Sequence, residues 1–293
     1  MPNWSILKVL MKEFASSDQI ARTNEHTLVM DDPQQVREYT LAGIEGGVMA
    51  PVYLFHCAQV CQVIRPGDRV LDLACGPANQ LAQIARLNPD CHFVGLDLSH
   101  EMLDRGRALT QAQQLANITF VDGSMTDLSQ FKDNSFDAVM STMALHHLPD
   151  EKCLNQTFAE AARVLTKDGG MYLADFGRLK RKDSIDYFAN QYGDRQPPLF
   201  TLDYLNSLHA AFSLKNFQTA CRQNLGNRAS VLSTFCVPYM VVVRTPSRRE
   251  LPEPLRLSLL RLRDALPEHH KIDLANLRTF FRLGGVPSTV FEK

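Results

Sequence analysis

A turn of small residues followed by an acidic residue is the feature of this sequence best suited to binding a small molecule. The apolar run at 70–73 leads into Ala74-Cys75-Gly76-Pro77-Ala78, and a helical pattern follows. Small residues let a backbone approach a ligand closely, and the first N–H groups of a helix are free to bind it. Asp97 ends the next apolar run about twenty residues after the turn, where a carboxylate can accept hydrogen bonds from ribose hydroxyls. The spacing predicts a nucleoside-binding site.

The same two features are typical of NAD-binding domains, but the turn argues against a dinucleotide. A full dinucleotide fingerprint has the pattern Gly-x-Gly-x-x-Gly, whereas here only Gly76 is glycine and Ala74 and Ala78 stand at the flanking places. A pyrophosphate also needs more exposed backbone than this turn offers. NAD is therefore disfavoured.

Two histidines and an aspartate could handle a proton near the same site. His146 and His147 follow an apolar run at 136–141, and Asp175 ends another at 170–175. In open α/β sheets, ligands bind at the carboxyl ends of the strands, where these residues would stand. Either histidine could be a general base or could be structural. Asp175 could face the substrate, or it could be a capping or solvent-facing acid. We keep His146, His147 and Asp175 as catalytic candidates.

The elements that must position these residues alternate along the chain. Strand patterns occupy 69–74, 92–97, 118–121, 136–141 and 170–175, and helix patterns occupy 80–86, 100–115 and 151–165. This alternation predicts a parallel sheet with crossover helices. Two further strand patterns at 229–235 and 239–245 follow a helix pattern at 204–212, which we expect Thr201-Leu202-Asp203 to cap.

We divide the chain into a core with two flanking parts. Residues 1–48 are predicted to form a helical cap or lid, because apolar residues recur at helical spacing at 6–14 and Asp31-Asp32-Pro33 is a helix start. Residues 49–245 are the predicted core, with 178–228 as an insertion that covers the substrate. Residues 246–293 are a predicted helical extension, whose leucine face packs on the core or on a second copy in a homodimer; docking to a membrane surface or nucleic acid is the alternative.

Composition narrows the expected partners and compartment. The 293 residues carry a net charge of −1, which does not steer the chain toward nucleic acid. The seven cysteines show no metal-binding spacing, so we expect reduced thiols, no metal site and a cytoplasmic location. No apolar run of about 18 residues occurs, so no membrane span is expected.

Four ordered segments resemble the motifs of class I S-adenosylmethionine (SAM)-dependent methyltransferases. They are residues 71–78 (LDLACGPA), 95–103 (GLDLSHEML), 121–128 (VDGSMTDL) and 136–148 (FDAVMSTMALHHL). Residues 163–170 (RVLTKDGG) also resemble the turn that precedes the fifth strand of that family. The resemblance covers roughly residues 65–177 and is nearest to the ubiquinone/menaquinone-biosynthesis-like group, which acts mostly on small molecules.

The resemblance implies a fold and a cofactor. The fold would be α/β, with a doubly wound, seven-stranded, mostly parallel Rossmann-like sheet, and the cofactor would be SAM, with S-adenosylhomocysteine as product. The family's cofactor contacts fall on these positions: Asp72, Ala74, Cys75, Gly76, Asp97, Leu98, Met102, Ser124, Met125 and Ser141. Ser124 departs from the family pattern, in which aspartate is common, so Asp122 could replace it. Asp72 could touch the cofactor or only hold the turn together.

The implied reaction is in-line transfer of the SAM methyl group to an O, N, C or S atom of a small-molecule acceptor. Substrate contacts are expected from Tyr39, Tyr53, Phe176, Arg178 and Tyr187. One alternative is a methyltransferase acting on RNA or protein, although no Asn/Asp-Pro-Pro-Tyr motif or Pro-Cys dipeptide follows the fourth strand, so nucleic acid is disfavoured. The other is a SAM-binding protein without methyl transfer, which intact binding motifs do not exclude.

Overall fold

The computed structural model describes residues 4–17, 20–25, 30, 32–287 and 290–291. Its strands are β1 Arg69–Leu73, β2 His92–Asp97, β3 Ile118–Asp122, β4 Phe136–Thr142, β5 Leu165–Phe176, β6 Ser230–Ser233 and β7 Met240–Arg244. These strands form one seven-stranded sheet in the order β3-β2-β1-β4-β5-β7-β6. Strands β1 to β5 are parallel, and β7 pairs antiparallel with both β5 and β6. The predicted seven-stranded, mostly parallel sheet is confirmed.

Helices connect and cover these strands. They are α1 Trp4–Ala15, α2 Pro33–Ala42, α3 Ala50–Val63, α4 Asn79–Leu87, α5 His100–Ala112, α6 Glu151–Val164, α7 Lys182–Asn190, α8 Pro198–Ala210, α9 Leu214–Leu225, α10 Glu253–Ala265 and α11 Glu268–Leu283, with a 3₁₀ helix at Leu145–His147. Side-chain oxygens cap the N-termini of several of these helices. The Ser99 hydroxyl accepts from Met102 N at 3.1 Å at the start of α5, and Asp150 accepts from Cys153 N at 2.7 Å at the start of α6.

The strand order places a crevice beside β1. Strand β1 lies between β2 and β4, so the chain winds outward in one direction from β1 to β3 and in the other from β4 to β5. At such a reversal, the loops after the two neighbouring strands diverge and leave space at their carboxyl ends. The turn after β1 and the 3₁₀ helix after β4 both stand at this edge.

Alternating strand residues build a core on each face of the sheet. Val70 of β1 packs toward α3, while Leu71 packs toward α6 and α9 on the opposite face. Helix α11 packs on α3, where the Phe55 and Phe281 rings stack with centroids 4.7 Å apart. The C-terminal helices are therefore part of the packed molecule.

Hydrogen bonds connect the N-terminal helix α1 and the residues just after it to the segment that follows β5. The buried Glu13 carboxylate of α1 accepts hydrogen bonds from Lys180 N and, at 3.2 Å, from Arg181 N. The Lys180 ammonium donates to Ser16 O at 2.9 Å. Among the described residues, no helix combines the length and apolarity that a membrane span needs.

The structure corrects several helix boundaries. Helix α8 begins at Pro198, so the cap predicted at Thr201-Leu202-Asp203 is wrong, and the Asp203 carboxylate instead accepts from Gln35 Nε2 at 2.8 Å. Asp32 caps α2 as predicted, while Asp31 lies outside the described residues. Helices α3, α7 and α9 were not predicted. Since nearly every residue of α3 is buried, α3 has no polar face to mark it as a helix.

Candidate active site

The turn after β1 has an unusual backbone. Ala74, Gly76 and Ala78 all have positive φ, at 56°, 54° and 62°. Positive φ is uncommon for residues other than glycine, and a cluster of such residues is typical of sites where the backbone must face a ligand. The Cys75 N–H donates to Leu96 O at 2.9 Å, which ties the turn to β2.

Asp97 links this turn to the end of β2. Its Oδ2 accepts from Gly76 N at 2.8 Å and its Oδ1 from Ser99 N at 2.9 Å. Burial raises the pKa of Asp97, while these backbone N–H groups counteract that rise. Because a carboxylate offers about four acceptor sites, Asp97 keeps acceptor capacity for a further hydroxyl group.

A cavity of about 90 Å³, here called the turn pocket, lies against this turn. It is lined by six of the residues predicted to bind the cofactor: Ala74, Gly76, Asp97, Leu98, Met102 and Met125. A carboxylate with free acceptor sites stands beside apolar Leu98, Met102 and Met125 side chains. This donor and acceptor set fits a nucleoside whose ribose needs hydrogen-bond acceptors and whose base needs apolar contact.

Four other residues predicted to bind the cofactor lie outside the lining of the turn pocket. Asp72 is buried in β1, and its burial together with the nearby Asp97 raises its pKa. Cys75 faces Gly95 of β2. The Ser124 hydroxyl pairs with Thr126 Oγ1 at 2.8 Å, and the buried Ser141 hydroxyl donates to Leu73 O at 2.8 Å. These contacts hold loops and strands in place, and cofactor contact from the four residues stays a prediction.

A second and larger cavity, here called the aromatic cavity, lies next to the turn pocket. Its volume is about 170 Å³, more than ten times the roughly 10–15 Å³ that one water molecule needs. Its aromatic lining includes Phe176, Phe188, Phe200, Tyr204, Tyr239 and Phe280. These rings come from β5, the helices α7, α8 and α11, and the segment before β7. A cavity of this size and lining suits a small, largely apolar organic molecule.

The turn pocket and the aromatic cavity share three lining residues, Tyr39, Met143 and His147. Met143 has a φ of 53°, and its N–H donates to Ala174 O at 2.8 Å. This backbone conformation places Met143 at the point where β4 ends and the two cavities meet. These three residues, here called the common wall, border both cavities, so the two cavities lie side by side.

The predicted catalytic residues form one cluster with Glu25, which follows α1. The His146 Nδ1–H donates to Asp175 Oδ1 at 2.7 Å, and the His146 backbone N–H donates to Asp175 Oδ2 at 2.7 Å. His147 Nδ1 lies 2.5 Å from Glu25 Oε2, and His146 Nε2 lies 3.8 Å from Glu25 Oε1. The Ser207 hydroxyl donates to Glu25 Oε1 at 2.9 Å.

Charges within the cluster stabilise one another. Burial alone would raise the pKa of Glu25, but the hydrogen bond from His147 and the positive charge of the imidazoles lower this pKa to about 2. Burial would lower the pKa of His146, but the charge and hydrogen bond of Asp175 outweigh that effect and raise it.

Two of the five predicted substrate residues line the aromatic cavity, namely Tyr39 and Phe176. Tyr53 lines a separate cavity with Asn79. Arg178 donates through Nε to Ala211 O at 3.0 Å, and Tyr187 packs edge-on against Phe188. The structure does not bring Tyr53, Arg178 or Tyr187 into the lining of the aromatic cavity.

Several residues of the site carry no signal in the sequence. Glu25 precedes a helix by several residues and belongs to no motif. Tyr204 lies on α8, Tyr239 in the segment before β7 and Phe280 on α11, and only the packing of these parts brings the three rings together. Asp203 also lines the aromatic cavity, whereas the sequence pattern predicts that it is part of a helix cap.

Comparisons with known proteins agree with this geometry. The profile of a family described as "Methyltransferase domain" matches residues 70–169. A demethylmenaquinone methyltransferase of Listeria welshimeri is 34% identical over 113 residues, which is 38% of this chain and 46% of that relative. A demethylmenaquinone methyltransferase of Symbiobacterium thermophilum is 37% identical over 111 residues, 37% of this chain and 42% of that relative. The chain thus spans less than half the length of these curated relatives.

Solved structures share the fold. A SAM-dependent methyltransferase of Aquifex aeolicus superposes with a TM-score of 0.53 at 14% identity, covering 74% of this chain and 98% of the other. A Methanococcus maripaludis protein provisionally assigned to the SAM-dependent methyltransferases has a TM-score of 0.55 at 17% identity, covering 78% of this chain and 99% of the other.

The fold, the turn after β1 and the acidic end of β2 define a nucleoside-binding α/β protein of the methyltransferase type. More particularly, residues 70–169 match the family described as "Methyltransferase domain", and the chain shares its fold with SAM-dependent methyltransferases. The predicted family is confirmed for residues 70–169, and this family implies SAM as the cofactor.

Proposed function

We propose that this protein transfers the methyl group of SAM to a small, largely apolar acceptor bound in the aromatic cavity. One observation carries the proposal: the turn pocket and the aromatic cavity share Tyr39, Met143 and His147 as a common wall. A methyl transferase needs its donor and acceptor in contact and aligned, because the reacting atoms must approach to about 3–3.5 Å. Two cavities that meet at one wall supply that arrangement.

The residues of the turn pocket would hold the cofactor. Asp97 would accept the ribose hydroxyls, and Leu98, Met102 and Met125 would contact the adenine. The backbone at Ala74 and Gly76 would face the methionine part. When bound, SAM supplies a methyl group that is already activated by its sulfonium, so the protein's main task is to orient the acceptor and exclude water.

The aromatic cavity supports a small-molecule acceptor rather than RNA. The basic run at 178–182 is the segment most suited to contact a polyanion, but each of its four basic side chains has a partner within the chain. Arg178 donates to Ala211 O, Lys180 donates to Ser16 O and Lys182 pairs with Asp186. The names of the curated relatives, which specify demethylmenaquinone, agree with an apolar acceptor.

We place acceptor activation at His146, His147 and Asp175, together with Glu25. His147 belongs to the common wall, and His146 lines the aromatic cavity with its ring held by the buried Asp175. The N-terminal part (1–48), the insertion (178–228) and the C-terminal extension (246–293) then act as walls of the acceptor site, because each contributes lining residues such as Leu10, Tyr204 and Phe280.

The test has a binding step and a turnover step. Calorimetry should detect S-adenosylhomocysteine binding but no NADH binding. Incubation with SAM carrying an isotopically labelled methyl group and a small-molecule extract should then give a labelled product by mass spectrometry. His147→Ala should abolish labelling, whereas His92→Ala, at an exposed position on β2, should keep it. Binding of S-adenosylhomocysteine without labelling of any extract would contradict methyl transfer.

A further inference from the structure

We propose that Glu25, His146 and His147 form a binding site for one divalent metal ion in the wall of the aromatic cavity, where the ion binds an oxygen atom of the acceptor. The role of the ion rests on the proposed function, but its presence does not and is tested separately. The prediction from the sequence is that no metal site exists, because the cysteine spacing indicates none. The histidine and glutamate side chains come together only in the folded chain.

The ligand atoms are close enough to share one ion. One nitrogen of each histidine and one Glu25 oxygen all lie within 4.8 Å of one another. Ligands about 2.0–2.2 Å from a tetrahedral ion are roughly 3.4 Å apart. His147 Nδ1 lies 2.5 Å from Glu25 Oε2 and His146 Nε2 lies 3.8 Å from Glu25 Oε1, so each carboxylate oxygen lies close to one imidazole.

The chemistry of the three ligands selects a class of ion. Imidazole nitrogens with a single carboxylate suit zinc, iron, copper or nickel rather than calcium, magnesium or manganese, which prefer oxygen ligands. Three protein ligands also leave at least one coordination position open, as in catalytic metal sites. His146 and His147 both line the aromatic cavity, so the open position would face the acceptor.

Asp175 orients one of the ligands. It lies behind His146 with no exposed surface, and it accepts from the His146 Nδ1–H at 2.7 Å. In the neutral form of the ring this bond keeps the proton on Nδ1, so that Nε2, which lies 3.8 Å from Glu25 Oε1, can bind a metal ion. A histidine that binds a metal through one nitrogen usually donates its other N–H to a carboxylate or carbonyl group in this way.

A second side chain holds the backbone of the 3₁₀ helix that carries both histidines. Arg22 donates to His146 O at 2.8 Å and to Pro149 O at 2.7 Å. Its guanidinium also lies over the Phe212 ring, 4.0 Å from the ring centre. The two histidine ligands therefore lie on a backbone segment held by hydrogen bonds, as a binding site of fixed geometry requires.

Charge also favours a cation at this position. Glu25 and Asp175 place two carboxylates around a pair of imidazoles beside the aromatic cavity, and the Glu25 side chain is only 10% exposed. Buried charges are normally paired or bound to metal ions. A divalent ion would replace the protons of the two imidazoles and would then balance both carboxylates in their place.

The ion specifies a chemical class of acceptor. Binding to a divalent ion lowers the pKa of an oxygen atom, so a phenol or enol would release its O–H proton to solvent and remain bound as the anion. That oxygen keeps the electron pair that forms the new bond to the methyl carbon. The carbon–sulfur bond breaks, and its pair leaves with sulfur. The aromatic cavity and the ion together therefore select a small aromatic or enolic molecule with an ionisable oxygen.

The experiment measures metal binding without cofactor or acceptor. Full-length protein with no affinity tag is freed of metal with a chelator and titrated with Co²⁺, followed by calorimetry and visible absorption. We expect one Co²⁺ per chain and the weak absorption bands of nitrogen and oxygen ligands. Glu25→Gln and His147→Ala should each lower the affinity at least about 100-fold, and Asp175→Asn should lower it roughly 10–100-fold without changing the stoichiometry. His92→Ala is the matched control and should bind as the wild type does.

The affinity for S-adenosylhomocysteine and the rate of methyl transfer show whether a loss of metal binding has another cause, such as misfolding of the variant. Glu25→Gln should keep the wild-type affinity for S-adenosylhomocysteine, because Glu25 does not line the turn pocket. The metal proposal is overturned if the wild type binds no Co²⁺, if binding survives in the Glu25→Gln/His147→Ala double variant, or if the spectrum shows cysteine thiolate ligands. Metal binding without methyl transfer would instead leave the site intact and contradict the proposed function.

Discussion

The turn pocket and the aromatic cavity are built in different ways. The turn pocket is lined mainly by short segments that directly follow β1, β2, β3 and β4, so the sheet itself sets the positions of Gly76, Asp97 and Met125. The aromatic cavity is enclosed by helices α1, α2, α3, α7, α8 and α11, which lie outside the sheet. The difference teaches that one molecule can combine a cofactor site set by strand order with an acceptor site set by the packing of added helices.

This comparison predicts that the two cavities respond to different changes. The turn pocket should be sensitive to a few residues at strand ends and insensitive to the outer helices. The aromatic cavity should follow the stability and side-chain volume of those helices. Four variants test this, beginning with the largest expected effect.

Phe281→Ala should have the largest effect, because Phe281 is fully buried and stacks on Phe55 of α3. Removing a buried aromatic ring costs about 3–5 kcal/mol of unfolding free energy. Urea unfolding would measure the loss. Ile272→Ala on the same helix is the control, since Ile272 is 60% exposed and should change the stability little. Equal losses for the two variants would mean that α11 is not packed on the core as described.

Asp97→Ala should remove the main polar contact to the cofactor. A hydrogen bond to a charged group contributes about 1.5–3 kcal/mol, so the affinity for S-adenosylhomocysteine should fall roughly 10- to 150-fold in calorimetry. Asp168→Ala, at an exposed position on β5 outside the lining of the turn pocket, is the matched control and should bind as the wild type does. An unchanged affinity in Asp97→Ala would show that the ribose is bound elsewhere.

Acid should weaken the packing of α3 on the sheet and on α11 through His56. This buried ring pairs with Tyr172 Oη at 2.7 Å, and burial lowers its pKa to about 3. Above pH of about 6.5 the ring is neutral in both the folded and the unfolded chain. Below that pH His56 binds a proton in the unfolded chain but not in the folded chain. Stability should therefore fall by about 1.4 kcal/mol per pH unit as the pH drops from 6.5 toward 3.

His56→Leu should remove this contribution to the pH dependence. The variant loses the Tyr172 hydrogen bond, so its stability at neutral pH is not the readout. The slope of the unfolding free energy between pH 6.5 and pH 5, measured by urea unfolding, is compared with that of the wild type. Identical slopes would mean that His56 is not buried as a neutral ring.

Leu277→Trp should have the smallest effect and act on the aromatic cavity alone. Leu277 lines that cavity from α11, and a larger side chain there occupies space needed by the acceptor. An apolar fluorescent probe, anilinonaphthalene sulfonate, should bind about fivefold more weakly, as expected for roughly 1 kcal/mol of steric cost. The affinity for S-adenosylhomocysteine should stay unchanged. Weakening of both ligands would contradict the separation of the two cavities.

The sequence allowed the sheet and most of the turn pocket to be predicted, since strand ends and the residues after them stand in a fixed order. Gly76, Asp97 and Met125 were found in this way. Prediction of the aromatic cavity was poorer, because an aromatic side chain near a strand end does not reveal which way its helix packs. Tyr53 and Arg178 were therefore predicted to touch the substrate but lie outside the cavity lining, while Tyr204 and Phe280 went unnoticed.

The cluster of Glu25, His146, His147 and Asp175 was also predicted only in part. His146, His147 and Asp175 were predicted because they follow β4 and end β5, as residues at the carboxyl edge should. Their partner Glu25 lies 121 and 122 residues before the two histidines in the chain. No local spacing connects residues so far apart, and only the return of the N-terminal segment over the sheet edge brings them together.

The central claim is that the bound methyl donor faces the aromatic cavity at Tyr39, Met143 and His147. Nuclear Overhauser spectroscopy on the protein with SAM carrying a ¹³C-labelled methyl group tests it most directly. We expect through-space contacts from that methyl group to the Met143 methyl, the Tyr39 ring and the His147 ring. Contacts to the Leu98 and Met125 side chains without any to these three residues would contradict the claim, because the methyl group would then point away from the acceptor.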